Sequence, residues 1–217
     1  MIEFFIAALV VAIAPGPDNL FVLAQSATHG AKAGFCVICG LCTGIVVQTC
    51  LLVAGVSALI AASPKAFFVL QCCGAAYLLY LAFKSFQVRA GTVVKDDAEN
   101  SNDADDGKNT EIVKSRISGG RLYSRGIIMN LTNPKAVLFC LSFIPPAVDL
   151  NRDMHPSLQT FILGGEFVLA TFLVFGTVAL LAGAVKKYLL NSPKANRNLN
   201  WISGAIFVML AVALFVV

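Results

Sequence analysis

Three ionisable side chains interrupt apolar stretches of this sequence: Asp18, Lys135 and Glu166. Each costs about 2.5–3.5 kcal/mol at the centre of a membrane helix. With a rise of about 1.5 Å per residue, all three reach a similar depth near the middle of a bilayer. Two explanations stay open for them. Lys135 either pairs with Asp18 or Glu166 and locks helices together, or these groups face a cavity and bind a charged solute or a proton.

Two of these charges belong to motifs that interrupt a helix. Proline removes a backbone donor, and broken helix at membrane depth is tolerated only where it packs in protein or lines a watery cavity. The breaks could be structural kinks, with Asp18 or Asn19 capping the half-helix that follows. They could equally form a binding site. The first motif is Pro15-Gly16-Pro17-Asp18-Asn19, and the second extends from Asn130 through Asn133, Pro134 and Lys135.

The residue types in these breaks suit a ligand that carries both charges. Exposed amides at the start of a half-helix favour a carboxylate, and Lys135 could anchor one as well. Unwound carbonyls and the carboxylate of Asp18 favour an ammonium group. A compact dipolar site therefore fits an amino acid. Gln48 either reaches the same cavity or bonds a neighbouring helix, and Glu166 either joins the site or marks helix packing beside two glycines.

The rest of the sequence supplies the helices that position these groups. The chain of 217 residues is 58% hydrophobic and 13% charged, whereas soluble domains carry about 25% charged residues. Its apolar runs reach the roughly 20 residues that a helix needs to cross a bilayer. We therefore predict an all-α integral membrane protein, a single transmembrane domain over 1–217. Its six transmembrane helices are predicted at 3–25, 34–61, 66–87, 124–148, 157–185 and 199–217.

The two interrupted helices are the first and the fourth, so each begins one half of a 3+3 arrangement. Because three is odd, the halves cross the membrane in opposite directions and form an inverted repeat. Broken helices at corresponding positions of inverted halves are the best sequence indication of a transporter site. The pattern thus favours the binding explanation over two unrelated kinks.

The placement of Lys and Arg predicts the orientation, because cytoplasmic loops carry an excess of both. Of the 16 such residues, thirteen lie in or beside the loops after spans one, three and five. Only Lys65 and Arg152 lie on the other side, and Lys135 falls inside span four. We expect both termini on the outer side of the membrane. The polar segment 88–123, rich in Asp and Glu, is predicted to be a disordered cytoplasmic linker between the two halves.

Small residues and cysteines leave further alternatives open. Gly40 and Gly44 are spaced for close helix packing, within the chain or in a homodimer. The seven cysteines lie in apolar runs and need no function as small apolar residues. A membrane thiol or electron carrier, or a metal-ion exporter, stays an alternative, although span one has no cysteine and the loops lack His- or Cys-rich stretches. We expect no enzyme activity, no cofactor, no metal and no nucleic-acid partner.

Several of these motifs resemble the LysE/RhtB family of amino acid exporters. The resemblance is carried by the stretch from Ala14 to Asn19, by the stretch from Gly126 to Phe139, and by Gly74-Ala75-Ala76-Tyr77-Leu78. The six-span layout extends it over the whole chain. This sequence departs from the family pattern at Gln48, near which members often have a histidine, so no proton role is carried over to this position.

The resemblance implies secondary export of amino acids or close derivatives across a bacterial inner membrane. Threonine, homoserine, lysine, arginine, leucine and cysteine are the kinds of substrate it implies. The energy source it implies is the membrane potential or the proton gradient. The expected partners are the amino acid, protons and lipid. The residues that it assigns to the site are Pro15, Gly16, Pro17, Asp18, Asn133, Pro134 and Lys135.

Overall fold

A computed structural model describes residues 2–14, 16–62, 64–87, 118–149, 151–182, 184, 193–213 and 215 of the chain. Every regular element in this part is a helix, and there are eight of them. They are α1 (Ile2–Ile13), α2 (Pro17–His29), α3 (Ala31–Ala62), α4 (Pro64–Gln87), α5 (Gly119–Thr132), α6 (Pro134–Phe143), α7 (Pro156–Leu180) and α8 (Pro193–Ala213).

Both predicted helix breaks are present. The axes of α1 and α2 differ by 60°, and those of α5 and α6 differ by 56°. Prolines begin α2, α6 and α7, because proline fits the first turn, where a helix needs no amide donor. The element order is a bent pair followed by two helices, and this order occurs twice.

The described helices include segments that can cross a membrane. Ala31–Gly55 within α3 and Pro156–Leu180 are each long and apolar enough, and the number rises to four if each bent pair is one span. The region predicted as span three is the helix α4, and the region predicted as span six, 199–217, overlaps α8 as far as Ala213. The 3+3 inverted repeat stays a prediction.

Several boundaries differ from those expected, and two of them belong to span four. Helix α5 begins at Gly119, inside the range assigned to the linker. The prediction missed this start because the first turn of the helix is polar and the spans were located by their apolar residues. Helix α6 ends at Phe143, five residues before the predicted end of span four at 148, because a turn follows at the Pro145-Pro146 pair. Residues 88–117, most of the predicted linker, lie outside the described residues.

Two apolar clusters hold the helices together. The first centres on Phe139 of α6, whose ring lies 5.6 Å from that of Phe4 and 4.9 Å from that of Phe167, between centroids. The second joins α2, α3, α5 and α7 around Val22, Ile38 and other buried side chains. The polar residues of the two breaks lie where these clusters meet.

Helices α3 and α5 approach each other through facing glycines. A Cβ atom at Gly40 would lie 2.9 Å from the Cα atom of Gly126, and one at Gly126 would lie 3.0 Å from the Cα atom of Gly40. One turn further along α3, a Cβ at Gly44 would lie 2.6 Å from the amide oxygen of Asn130. Gly40 and Gly44, for which the sequence allowed packing within the chain or in a homodimer, thus pack helices within one chain.

Replacement of Gly40 by leucine is expected to destabilise the fold strongly. Overpacking usually costs about 1–3 kcal/mol, and here the obstacle is backbone, which cannot change rotamer. A matched control is Gly165→Leu in α7, since a Cβ at Gly165 has no neighbouring atom within 4 Å. Thermal unfolding in detergent should show a large loss for Gly40→Leu alone. Equal melting temperatures for both variants would contradict the role of this contact.

Candidate dipolar site between two broken helices

Asn133 joins the two helix breaks. It ends α5 and caps α6, where its side-chain oxygen accepts a hydrogen bond from the backbone amide of Lys135 at 3.0 Å. Its side-chain amide donates to a carboxylate oxygen of Asp18 at 2.6 Å. Asp18 lies in the first turn of α2 and is only 4% exposed. The second break therefore fixes the carboxylate of the first.

Lys135 makes the reciprocal contact from α6. Its ammonium group donates to the backbone carbonyls of Val11 at 3.2 Å and Ala14 at 2.9 Å. These carbonyls belong to the end of α1, where the helix leaves acceptors unsatisfied and carries partial negative charge. Gly16 makes room for this approach, since a Cβ there would lie 3.1 Å from the lysine nitrogen. Lys135 is 6% exposed.

These contacts resolve two expectations about the first break. Neither Asp18 nor Asn19 caps α2, because the cap residue is Gly16 and no side chain bonds the free amides there. Asn19 donates instead to the carbonyl of Ala12 at 2.9 Å. Lys135 also forms no ion pair within 4 Å with Asp18 or Glu166, all three of which the structure describes.

Gln48 donates hydrogen bonds near the end of α5, as Lys135 does at the end of α1. Its side-chain amide donates to the backbone carbonyl of Asn130 at 3.2 Å and to the side-chain oxygen of Asn130 at 3.0 Å. Both residues are buried. Of the two explanations given for Gln48, the bond to a neighbouring helix is therefore present, and it reaches a residue of the second break.

A small cavity lies between the charged groups. Its volume is about 20 Å³, and Asp18, Asn130 and Lys135 line it together with apolar side chains. A water molecule needs about 10–15 Å³ measured in this way, so the cavity accommodates water and no amino acid. The arrangement leaves no room for a larger ligand, which requires the surrounding helices to move.

Buried oxygen atoms at the breaks have unused acceptor capacity. The second carboxylate oxygen of Asp18 and the side-chain oxygens of Asn19 and Gln48 find no hydrogen-bond donor in the part of the chain that the structure describes. Buried acceptors without a partner are costly. Those of Asp18 and Asn19 lie on consecutive residues, so a donor group such as an ammonium ion would satisfy this region.

Other predicted site residues lie apart from this cavity. Pro17 and Pro134 are exposed and begin α2 and α6, while Pro15 lies outside the described residues. Glu166 is partly buried and does not line the cavity, although the neighbouring Phe167 does. Successive helical residues point about 100° apart, which directs Glu166 elsewhere.

Sequence reasoning missed the wall that α7 contributes. Phe167, Thr171 and Phe175 line the cavity at intervals of four residues, the spacing of one helix face. Thr171 is a buried polar residue in an apolar helix, and its position on the same face as two phenylalanines was the available signal. Val11 and Ala14 were also missed, because their backbone carbonyls rather than their side chains take part.

Nothing in the described residues groups side chains in the manner of a metal site, since no three His, Cys, Asp or Glu side chains lie close enough together. All seven cysteines are free. Cys140 is buried in α6 and packs in the cluster around Phe139. The chemistry available at the two breaks is thus that of one carboxylate, one ammonium group and several amides.

Known proteins resemble this chain over nearly its whole length. The chain is 29% identical over 211 residues to a protein of Salmonella typhimurium named "Leucine efflux protein", with 97% of this chain and 92% of the relative covered. A protein of the same name from Klebsiella pneumoniae is 30% identical over 213 residues, covering 98% and 93%. No solved structure matches the chain significantly. The family model for the LysE type translocator matches residues 9–217, and the chain belongs to this family of multi-pass membrane proteins.

Proposed function

We propose that this protein exports neutral amino acids from the cytoplasm and that the two helix breaks bind the amino acid between them. The family is one of translocators, and the two relatives described above are named for leucine efflux. Leucine is therefore the first substrate to test. The observation that carries the proposal is a buried carboxylate and a buried ammonium group on one cavity, from opposite helix breaks.

The two charges suit the two ends of an amino acid. The unpartnered oxygen of Asp18 accepts from the substrate's ammonium group, which replaces a missing hydrogen bond. The substrate's carboxylate attracts Lys135 away from the carbonyls of α1, to which it now donates. The beginning of α6, which carries partial positive charge, favours the same carboxylate. A zwitterion thus adds no net charge to the membrane interior.

The narrowness of the cavity fits a carrier whose site opens to one side at a time. Apolar residues of both clusters line it, with Val11 and Phe167 from the first and Phe175 from the second. In this narrow form, Lys135 donates to the carbonyls at the end of α1, so its charge stays hydrogen-bonded while no substrate is bound. Release of the substrate lets Lys135 return to them.

We propose the proton gradient as the energy source, with Asp18 or Glu166 as the carboxylate that carries the proton. One charge moved through 100 mV yields about 2.3 kcal/mol, enough for a gradient of roughly fifty-fold. The arrangement that we propose in a bacterial inner membrane is six spans with both termini outside. The acidic linker then lies in the cytoplasm.

Purified protein in lipid vesicles tests this function. Vesicles are loaded with radiolabelled leucine, threonine, lysine or glutamate, and a proton gradient is imposed across the membrane. We expect gradient-dependent movement of leucine and of other neutral amino acids, and little movement of lysine or glutamate, whose extra charge the site does not match. A folded protein that moves none of these amino acids under any gradient would overturn the proposed function.

A further inference from the structure

A second, larger space lies beside the dipolar site, between α3 and α6. Its volume is about 460 Å³, within the range of roughly 300–1,000 Å³ that is typical of ligand pockets. Leu51, Leu52 and Gly55 form the wall on α3, and Val137, Cys140 and Leu141 form the wall on α6. Among the described residues that line this groove, Gln48 is the one with a polar amide side chain. The described part of the groove is therefore suited to apolar material.

The inner end of the groove reaches the dipolar site through one side chain. Gln48 is 8% exposed and lines the groove, while its amide donates to Asn130, which lines the small cavity with Asp18 and Lys135. The side-chain oxygen of Gln48 is buried without a donor among the described residues. Gln48 thus links the lining of the groove to the lining of the small cavity.

We propose that the groove receives the aliphatic side chain of the exported amino acid once Gln48 leaves Asn130, and that it gives the transporter its preference for leucine-like substrates. This inference rests on the proposed export function. From Gln48 to Gly55, α3 leads toward the side that we place outside, as does α6 from Lys135 to Leu141. The groove then continues from the site of the charged groups in the direction of export.

The groove wall accounts for the side-chain preference. A polar or charged side chain would lose its hydration there and meet only the amide of Gln48 in exchange, which is costly. An aliphatic side chain would instead leave water and contact leucine and valine side chains. Small side chains such as that of alanine would gain little from the groove, so their export should depend on it weakly.

A lipid chain is the other apolar molecule within reach, since Leu51 is 66% exposed at the groove. The dipolar site at the inner end favours the amino acid, because a lipid chain has no group for Asp18 and Lys135. The two occupants predict different results. If the groove holds a substrate side chain, a substitution that fills it should slow the export of some amino acids more than others. If the groove holds lipid, the export of all of them should change equally.

Gly55 allows the groove to be filled without disturbing the fold. A Cβ atom at Gly55 would meet no atom within 4 Å, and the same holds for Gly165 on α7, outside the groove. We expect Gly55→Leu to slow leucine export by about tenfold or more, the usual effect of a changed fit in an apolar pocket, while alanine export changes little. Gly165→Leu should leave both unchanged.

Three outcomes of this comparison would overturn the inference. Export of leucine and alanine could fall equally in Gly55→Leu, which would indicate lipid or packing. Neither could change, which would mean that no substrate enters the groove. Gly165→Leu could have the same selective effect, which would make the groove irrelevant. If the wild-type protein moves no amino acid, the proposed function itself fails, and that result is separate from these three.

Chemical labelling provides a readout that does not depend on transport. In a protein whose seven native cysteines have been replaced and whose export is retained, Gly55→Cys places a thiol in the groove. We expect leucine to slow its reaction with N-ethylmaleimide several-fold and alanine to have little effect. Unchanged labelling in the presence of saturating leucine would contradict occupation of the groove.

Discussion

Replacement of Asp18 by asparagine is expected to reduce leucine export by about 10- to 150-fold while leaving the fold nearly intact. Hydrogen bonds to charged groups contribute about 1.5–3 kcal/mol, which corresponds to this factor. Asparagine has the same shape and can still accept the hydrogen bond that Asn133 donates at 2.6 Å. It loses the negative charge and the free oxygen proposed to bind the substrate's ammonium group.

The measurement compares initial rates of leucine movement in vesicles, with and without a proton gradient. Asp153→Asn is the matched control, because it makes the same change at an exposed position in the loop between α6 and α7. Glu166→Gln decides which carboxylate carries the proton. If both Asp18→Asn and Glu166→Gln leave export and its dependence on pH unchanged, neither acid carries the proton and the assignment of Asp18 to the site is wrong.

The sequence predicted the two breaks well because their cause is local. Proline lacks an amide donor wherever it stands, and polar residues beside it in an apolar run must find partners. The meeting of Asp18, Asn133 and Lys135 followed from the matching depth of the two motifs. The contacts of the lysine did not follow, because the backbone carbonyls of Val11 and Ala14 that receive it have no sequence signature.

The case of Glu166 shows that the depth of a residue in the membrane does not determine which way its side chain points. Its position along the chain gives its level in the membrane, but its direction around α7 depends on how α7 packs against α1 and α3. That packing is set by close contacts such as Gly164 against Thr49, where a Cβ at the glycine would collide with the threonine side chain. Phe167, one residue later, faces the cavity instead. Hydropathy cannot distinguish such neighbours.

The start of α5 shows a second limit. The segment from Gly119 to Tyr123 is helical, yet it contains two glycines and an arginine and falls in the range predicted as linker. Hydropathy places helix ends where apolar residues end, whereas hydrogen bonding continues the helix into the polar region. The breaks themselves were located correctly because proline marks them independently of hydropathy.

Replacement of Lys135 by methionine is expected to destabilise the protein by about 1–3 kcal/mol for each buried carbonyl that loses its donor. Methionine keeps the length of the side chain but leaves the carbonyls of Val11 and Ala14 without their donor. It also removes the positive charge that acts on the buried carboxylate of Asp18. Export should be lost as well, because the substrate's carboxylate would meet no cation.

A double-mutant cycle separates the charge effect from the lost hydrogen bonds. The melting temperatures of the wild type, Asp18→Asn, Lys135→Met and the double variant are measured in the same detergent. If the two charges compensate each other across the cavity, Lys135→Met should destabilise the Asp18→Asn protein less than it destabilises the wild type, by about 0.5–3 kcal/mol. The remaining loss then belongs to the carbonyls of α1. Equal losses in both backgrounds would mean that Lys135 serves only to cap α1, and the dipolar site would lose its cation.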